Sequence, residues 1–294
     1  MNSRLIGDMA VSEVGLGVMG LALAGRPDEK DAIQVICAAL DNGINFIDTA
    51  DCYCLDSEID HGYGERLVGK ALKEYGGNTA GVKVATKGGK RKPKEGMWPT
   101  NGKPEYLKSA CEQSLKNLGV DTIDLYQLHA PDENVPLEES LGALVELQQE
   151  GKINNIGVSN FDADQLNLAM TIAPVASVQN RLSPFDRSSL DLIEFCTMFG
   201  IALIAYSPLG GASKAKRVGE FVHEFQYVAG THQVTAQQIV LAWELNLSHI
   251  VIPIPTCRSA ETVKSCVESA DVRLSTEDMI LLTNSVPTGD ASID

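Results

Sequence analysis

The sequence predicts an α/β protein, a single-domain (β/α)8 TIM barrel, on three observations. Eight short apolar runs recur along the chain, each bounded by Gly, Pro, Asn or Asp, the pattern of strands buried on both faces. Amphipathic segments of helical period separate them, and parallel strands need such a crossover between one and the next. The length of 294 residues suits two ordinary domains or one barrel of about 250 residues, and no linker or low-complexity stretch divides the chain.

In chain order the strands are expected over 11–17, 46–49, 82–87, 123–129, 156–159, 177–180, 202–206 and 250–253. The helices are expected over 28–42, 64–75, 104–118, 137–150, 162–172, 188–199, 236–247 and 259–269. The first shows the logic: Ala32, Ile33, Ile36, Cys37, Ala39 and Leu40 recur at helical spacing, and Gly43 supplies the stop. Two segments interrupt the alternation. Residues 88–102 read as a long structureless loop carrying Lys90, Arg91, Lys92, Lys94 and Trp98, and loops that long are usually functional or disordered. Residues 214–230 read as an extra helix between the seventh strand and its own helix. A doubly wound open sheet is the structural alternative. Gly15-Leu16-Gly17-Val18-Met19-Gly20 superficially resembles a dinucleotide-binding turn, but no strong helix start follows it.

Composition narrows the function classes. The chain is 44% hydrophobic and 21% charged, an ordinary globular mix, with a net charge of −15. So acidic a surface repels phosphate backbones, which disfavours nucleic acid as a partner. No run approaches the roughly 18 apolar residues that span a bilayer, and the N-terminus lacks the apolar core of a secretory signal. A cytoplasmic protein without a membrane partner is expected. The seven cysteines are scattered, without zinc-site spacing, so neither a metal nor a disulfide framework is expected. No heptad pattern sets an oligomeric state.

The informative feature is where the polar residues fall. In a barrel, catalytic groups project from the C-terminal ends of the strands. Here those ends read Asp48, Lys87, His129, Ser159-Asn160, Gln179-Asn180 and Tyr206-Ser207. Apolar runs that repeatedly end in ionisable or amide residues point to one shared polar site.

Five ordered motifs then carry a resemblance. Phe46-Ile47-Asp48-Thr49-Ala50-Asp51-Cys52-Tyr53, Val84-Ala85-Thr86-Lys87, Asp124-Leu125-Tyr126-Gln127-Leu128-His129, Gly157-Val158-Ser159-Asn160 and Ala205-Tyr206-Ser207-Pro208-Leu209 resemble the aldo-keto reductase superfamily over nearly the whole chain. The resemblance implies a barrel that binds NAD(P)H without a Rossmann domain and reduces small aldehydes or ketones. It places the catalytic tetrad on Asp48, Tyr53, Lys87 and His129. Carbonyl reduction needs a proton for the developing alkoxide. Tyrosine can donate one, although its ordinary pKa of about 10 makes it a weak acid near neutrality. The Lys87 ammonium is expected to lower that value, Asp48 to hold Lys87 charged, and His129 to hydrogen-bond the carbonyl oxygen.

The same resemblance assigns the cofactor residues. Ser159, Asn160 and Gln179 match positions that hydrogen-bond the nicotinamide carboxamide, and Tyr206 matches the aromatic that stacks on the ring. Ser207, Leu209 and Gly210 resemble the loop over the pyrophosphate. Arg258 resembles the residue that grips the adenosine 2′-phosphate, which favours NADPH, with NADH as the alternative. Met19 and Trp98 are the candidates for lining the substrate pocket.

Departures from the family pattern are Thr256, Cys266 and Cys54, together with an acidic insertion over 55–63. That insertion either narrows the mouth and favours cationic or polyhydroxylated substrates, or is only a solvated loop. Two other functions stay open: a cofactor-sensing regulatory subunit with little turnover, and a Schiff-base lyase using Lys87.

Overall fold

The computed structural model describes residues 1–92 and 98–287. The chain opens with an antiparallel hairpin, β1 (Ser3–Ile6) and β2 (Met9–Ser12), turned through Gly7-Asp8. Eight parallel strands follow: β3 (Leu16–Gly17), β4 (Phe46–Asp48), β5 (Lys83–Gly88), β6 (Ile123–Leu128), β7 (Ile153–Ser159), β8 (Val175–Arg181), β9 (Ala202–Tyr206) and β10 (Val251–Pro253). Each pairs with the next in sequence order. The two ends of the sheet meet, because Gly15 N–H donates to Pro253 O at 2.9 Å and Gly17 N–H to Pro255 O at 3.1 Å. A Cβ on Gly17 would lie 2.7 Å from Ile254 O. The glycine run that superficially resembles a dinucleotide-binding turn is therefore the seam of the barrel.

Between strands lie α1 (Met19–Ala22), α2 (Glu29–Asp41), α3 (Tyr63–Glu74), α4 (Pro104–Leu118), α5 (Leu137–Gln149), α6 (Ala163–Ile172), α7 (Leu190–Phe199), α8 (Ala212–Ala215), α9 (Val218–Phe221), α10 (His223–His232), α11 (Ala236–Leu247), α12 (Ala260–Glu268) and α13 (Thr276–Asn284). Side-chain caps start several of them, such as Asp162 on α6 and Thr235 on α11. Gly119 and Gly200 stop α4 and α7 at φ of 72° and 67°.

Strand alternation sorts the apolar residues into two cores. Ile47, Tyr126, Leu128, Val158, Val178 and Leu203 face outward to the helices. Phe46, Ala85, Leu125, Ala202, Ile204 and Ile252 fill the barrel floor. Ile6, Met9 and Val11 of the hairpin pack into that floor and plug it, each such burial stabilising the fold by about 1.5–3 kcal/mol. Arg4 fastens the plug by donating to the carbonyls of Ser248 and Leu245 at 2.6 Å each, and to that of Val251.

Three expectations need correction. The strand expected over 11–17 is two elements: its start closes the hairpin, and only Leu16–Gly17 joins the barrel. The loop 88–102 is not structureless among its described residues. Lys90 bridges Thr100, and Arg91 N–H donates to Pro99 O at 3.1 Å, so its arms pair; Lys94 lies outside the described residues. The single helix expected over 214–230 is three short ones, α8 to α10, broken where Val222 is extended (φ −131°, ψ 91°).

Candidate active site

The site follows from the same period of two. In β4, Asp48 stands two residues after the floor residue Phe46; in β5, Lys87 two after Ala85; in β6, Gln127 two after Leu125; in β9, Tyr206 two after Ile204. Each strand thus turns an apolar residue into the floor and a polar one into the mouth above it. Parallel register aligns them, with Lys87 opposite Gln127 and Ser159 opposite Gln179. Gly157 leaves the space this needs, since a Cβ there would lie 2.6 Å from Ser177 Oγ and 2.8 Å from Gln127 Cγ.

Lys87 is the hub. Its ammonium donates to Asp48 Oδ1 at 2.6 Å, to Thr49 O at 2.7 Å and to Tyr53 Oη at 3.3 Å, and its side chain is wholly buried. Asp48 Oδ2 accepts from Gln179 Nε2 at 2.8 Å and Gln127 Nε2 at 3.3 Å. Sequence reasoning missed Gln127 as a site residue. The available signal was an amide inside the apolar run Leu125–Leu128, which must find a partner when buried. Gln179, expected at the carboxamide, turns its amide nitrogen to Asp48.

His129 follows β6 and meets Tyr53 edge-on, with ring centroids 6.0 Å apart at 79°. Burial, and then the charges of Lys87 and Lys90, hold its imidazole well below the ordinary histidine range, so it is neutral. Tyr53 departs from the expectation of an acidified phenol. Burial, followed by the negative charge of Asp48, pushes its pKa well above the ordinary value. Lys87 does touch the phenol, but Asp48 lies closer to the ammonium and offsets its field. Tyr53 is accordingly a protonated hydrogen-bond donor at neutral pH.

At the ends of β7 to β9 the expected cofactor residues assemble in part. Asn160 adopts φ 60° and donates to His129 O at 2.9 Å and Ser159 Oγ at 3.1 Å, while Tyr206 Oη donates to Asn160 Oδ1 at 2.8 Å. The half-buried Tyr206 ring is thereby tethered by its hydroxyl. Ser207 (φ 52°) opens a turn through Leu209 that closes when Gly210 N–H donates to Ser207 O at 2.8 Å. Arg258 stands apart, exposed beside Ser259, the cap of α12. Neutral amides and hydroxyls beside a tethered aromatic face, with an exposed cation at a helix start, fit a nicotinamide dinucleotide.

Around the mouth, Met19 opens α1 and is 40% exposed, and Trp98 is half-buried with Lys92 Nζ 5.5 Å from its ring centroid. The acidic insertion is less free than its composition implies. Asp60 pairs with Arg26 at 3.2 Å and Arg66 at 3.0 Å, and His61 Nε2 lies 3.5 Å from Asp51 Oδ2. No metal is expected from the cysteine spacing, yet the fold brings ligand atoms of Asp51, Cys52 and His129, all buried, within 4.8 Å of one another. Among the described residues no helix is long and apolar enough to cross a membrane.

Comparison with known proteins agrees with this geometry. The profile of the aldo/keto reductase family matches residues 13–286. The "Probable aldo-keto reductase 1" of Glycine max is 34% identical, covering 96% of this chain and 87% of its own. Among solved structures, the glycerol dehydrogenase of Gluconobacter oxydans superposes with a TM-score of 0.82 at 27% identity, covering 96% of this chain and 94% of its own. A thermostable aldo-keto reductase solved with the inhibitor epalrestat gives 0.81 at 31% identity, over 96% and 98%.

Proposed function

The chain belongs to the aldo/keto reductase family, and from that premise we propose that it interconverts a small carbonyl compound and its alcohol, with Tyr53 as the proton donor and NADPH preferred over NADH. The carrying observation is one ammonium, Lys87 Nζ, bonded at once to Asp48 and to Tyr53 Oη, with neutral His129 edge-on to that phenol. When bound, the reduced nicotinamide supplies the hydride. Ser159, Asn160 and Gln179 would hold its carboxamide and Tyr206 its ring. Ser207, Leu209 and Gly210 would run along the pyrophosphate, and Arg258 would take the 2′-phosphate.

The chain's own residues handle the oxygen. His129 orients the carbonyl, and Tyr53 gives its proton as negative charge develops there. In water a phenol is a far stronger acid than an aliphatic alcohol, which suits Tyr53 to the donor role although burial and Asp48 raise its pKa. Lys87, fixed by Asp48, then stabilises the phenolate left behind. The buried setting keeps water from competing for either proton position.

The alternatives fare worse. A Schiff-base lysine needs a free amine, whereas Lys87 Nζ is fully buried and donates to three oxygens. A sensing subunit has no use for the phenol and ammonium together. The test is cofactor depletion with both nicotinamides over sugars, ketones, aromatic aldehydes and pyridine aldehydes. Turnover of any class is expected. Tight cofactor binding without turnover would favour the sensor, and borohydride trapping of substrate on Lys87 the lyase.

A further inference from the structure

Asp51 is a buried carboxylate whose ion-pair partner, His61, stands at long range. It is 2% exposed, and neither of its oxygens accepts a hydrogen bond. The nearest cationic group, His61 Nε2, lies 3.5 Å from Oδ2, and His61 Nδ1 is itself buried without a partner. Burying a carboxylate that makes one long ion pair and no close hydrogen bond is costly. The next residue presents a buried thiol, Cys52 Sγ, 3.5 Å from His129 Nδ1. The backbone fixes this turn, since Asp51 N–H donates to Lys87 O at 3.1 Å and Tyr53 N–H to Ala50 O at 3.2 Å.

We propose that Asp51, Cys52 Sγ and His129 Nδ1 form a binding site for a thiophilic divalent cation, zinc in the first place. The three atoms lie within 4.8 Å of one another. Tetrahedral zinc, with bonds of about 2.0–2.3 Å, spaces its ligands roughly 3.3–3.8 Å apart, so the sulfur–nitrogen pair is already in place and the carboxylate needs a small approach. Magnesium and calcium want oxygen alone; sulfur, imidazole and carboxylate together select zinc or cobalt. Binding exchanges one proton: the S–H bond of Cys52 breaks, a sulfur–metal bond forms, and the proton leaves to solvent without any change of oxidation state. The fourth position is left for water.

Because His129 belongs to both groupings, the cation inhibits carbonyl turnover reversibly. That consequence rests on the reductase reading, whereas the site itself does not. The test uses the dialysed full chain and Co(II) as an optical probe. One equivalent is expected to give a thiolate-to-cobalt charge-transfer band that zinc displaces. Cys52→Ser should abolish the band. Asp51→Asn, which keeps the thiol, should weaken binding by at least the roughly 10–100-fold that losing even an outer partner costs.

A band that survives Cys52→Ser would overturn the site. So would one that vanishes with Cys257→Ser, because Cys257 Sγ lies 3.6 Å from Cys266 Sγ and offers a rival thiol pair. Zinc should also depress kcat in the parent chain, reversed by chelator, and spare the turnover that Cys52→Ser retains. Stoichiometric zinc binding with kcat intact would remove His129 from the ligand set. A chain that binds cobalt as described but reduces no carbonyl would count against the proposed function and leave the metal site standing.

Discussion

Lys87 Nζ lies 3.3 Å from Tyr53 Oη, yet the phenol is driven toward its neutral form. The ammonium spends its field on Asp48, 2.6 Å away, while burial penalises the phenolate. Under the proposed function, Tyr53 is then a neutral phenol that keeps its proton until an alkoxide forms beside it. Tyr53→Phe should lower kcat for reduction by about 10²–10⁴-fold while leaving dinucleotide binding, followed by quenching of protein fluorescence, within a few-fold of the parent. In buffer with chelator, the kcat profile should be flat through neutrality and fall only above the ordinary tyrosine value of about 10. A midpoint near 8 would restore the acidified phenol that the motif alone predicts.

The pair behind that phenol should reveal itself in stability. Lys87 and Asp48 side chains are 0% and 2% exposed, and removing one member of such a pair strands a buried charge at a cost of about 3–5 kcal/mol. Asp48→Asn should therefore destabilise the chain by that amount in urea unfolding. Adding Lys87→Met should recover part of the loss, since the stranded ammonium goes with it. Additive losses in the double variant would mean the two residues act independently.

How much of this was legible in the sequence depended on whether the signal was local. Helices Pro104–Leu118 and Ala236–Leu247 and strand Ala202–Tyr206 stand where periodicity predicts them, because their caps and stops are encoded within a few residues. The first strand was misread because a plug hairpin and a barrel strand share the same alternation. Helix Thr276–Asn284 was missed for a different reason. Ile280 is 58% exposed, and the helix is held from outside, by Arg187 donating to Leu282 O at 3.0 Å and Trp243 to Thr283 Oγ1 at 3.0 Å. The polar strand ends announced a shared site, but not that Gln127 and Gln179 would both serve Asp48, nor that Cys52 would meet His129. Those contacts join positions 77 to 131 residues apart.

Arg258 decides cofactor preference if the proposed dinucleotide pose is right. It is exposed at the start of α12, with no acidic side chain bonded to its guanidinium among the described residues. Arg258→Ala should raise KM for NADPH about tenfold or more, in line with the 1.5–3 kcal/mol of a charge-assisted hydrogen bond, and change KM for NADH little. Steady-state kinetics with both cofactors checks this. Equal losses for the two would place the 2′-phosphate elsewhere.

Glu65 of α3 should make the fold sensitive to pH. It is wholly buried, accepts from Thr86 Oγ1 at 2.7 Å and Asn117 Nδ2 at 2.8 Å, and its carboxyl is pushed up to about 7, by burial first and then by the charge of Asp51. An acid whose pKa is higher in the folded chain than in the unfolded one, near 4.5, binds more protons when folded between those values. Stability should therefore be greatest below about pH 4.5 as far as this group is concerned, and decline as pH rises through 7. The decline is about 3 kcal/mol at 1.36 kcal/mol per unit between 4.5 and about 7. Urea unfolding at pH 5 and pH 8 would measure it against Glu65→Gln, which cannot ionise and should lose that part of the slope. An unchanged slope in Glu65→Gln would mean that the Thr86 and Asn117 hydrogen bonds outweigh burial and keep Glu65 ionised throughout.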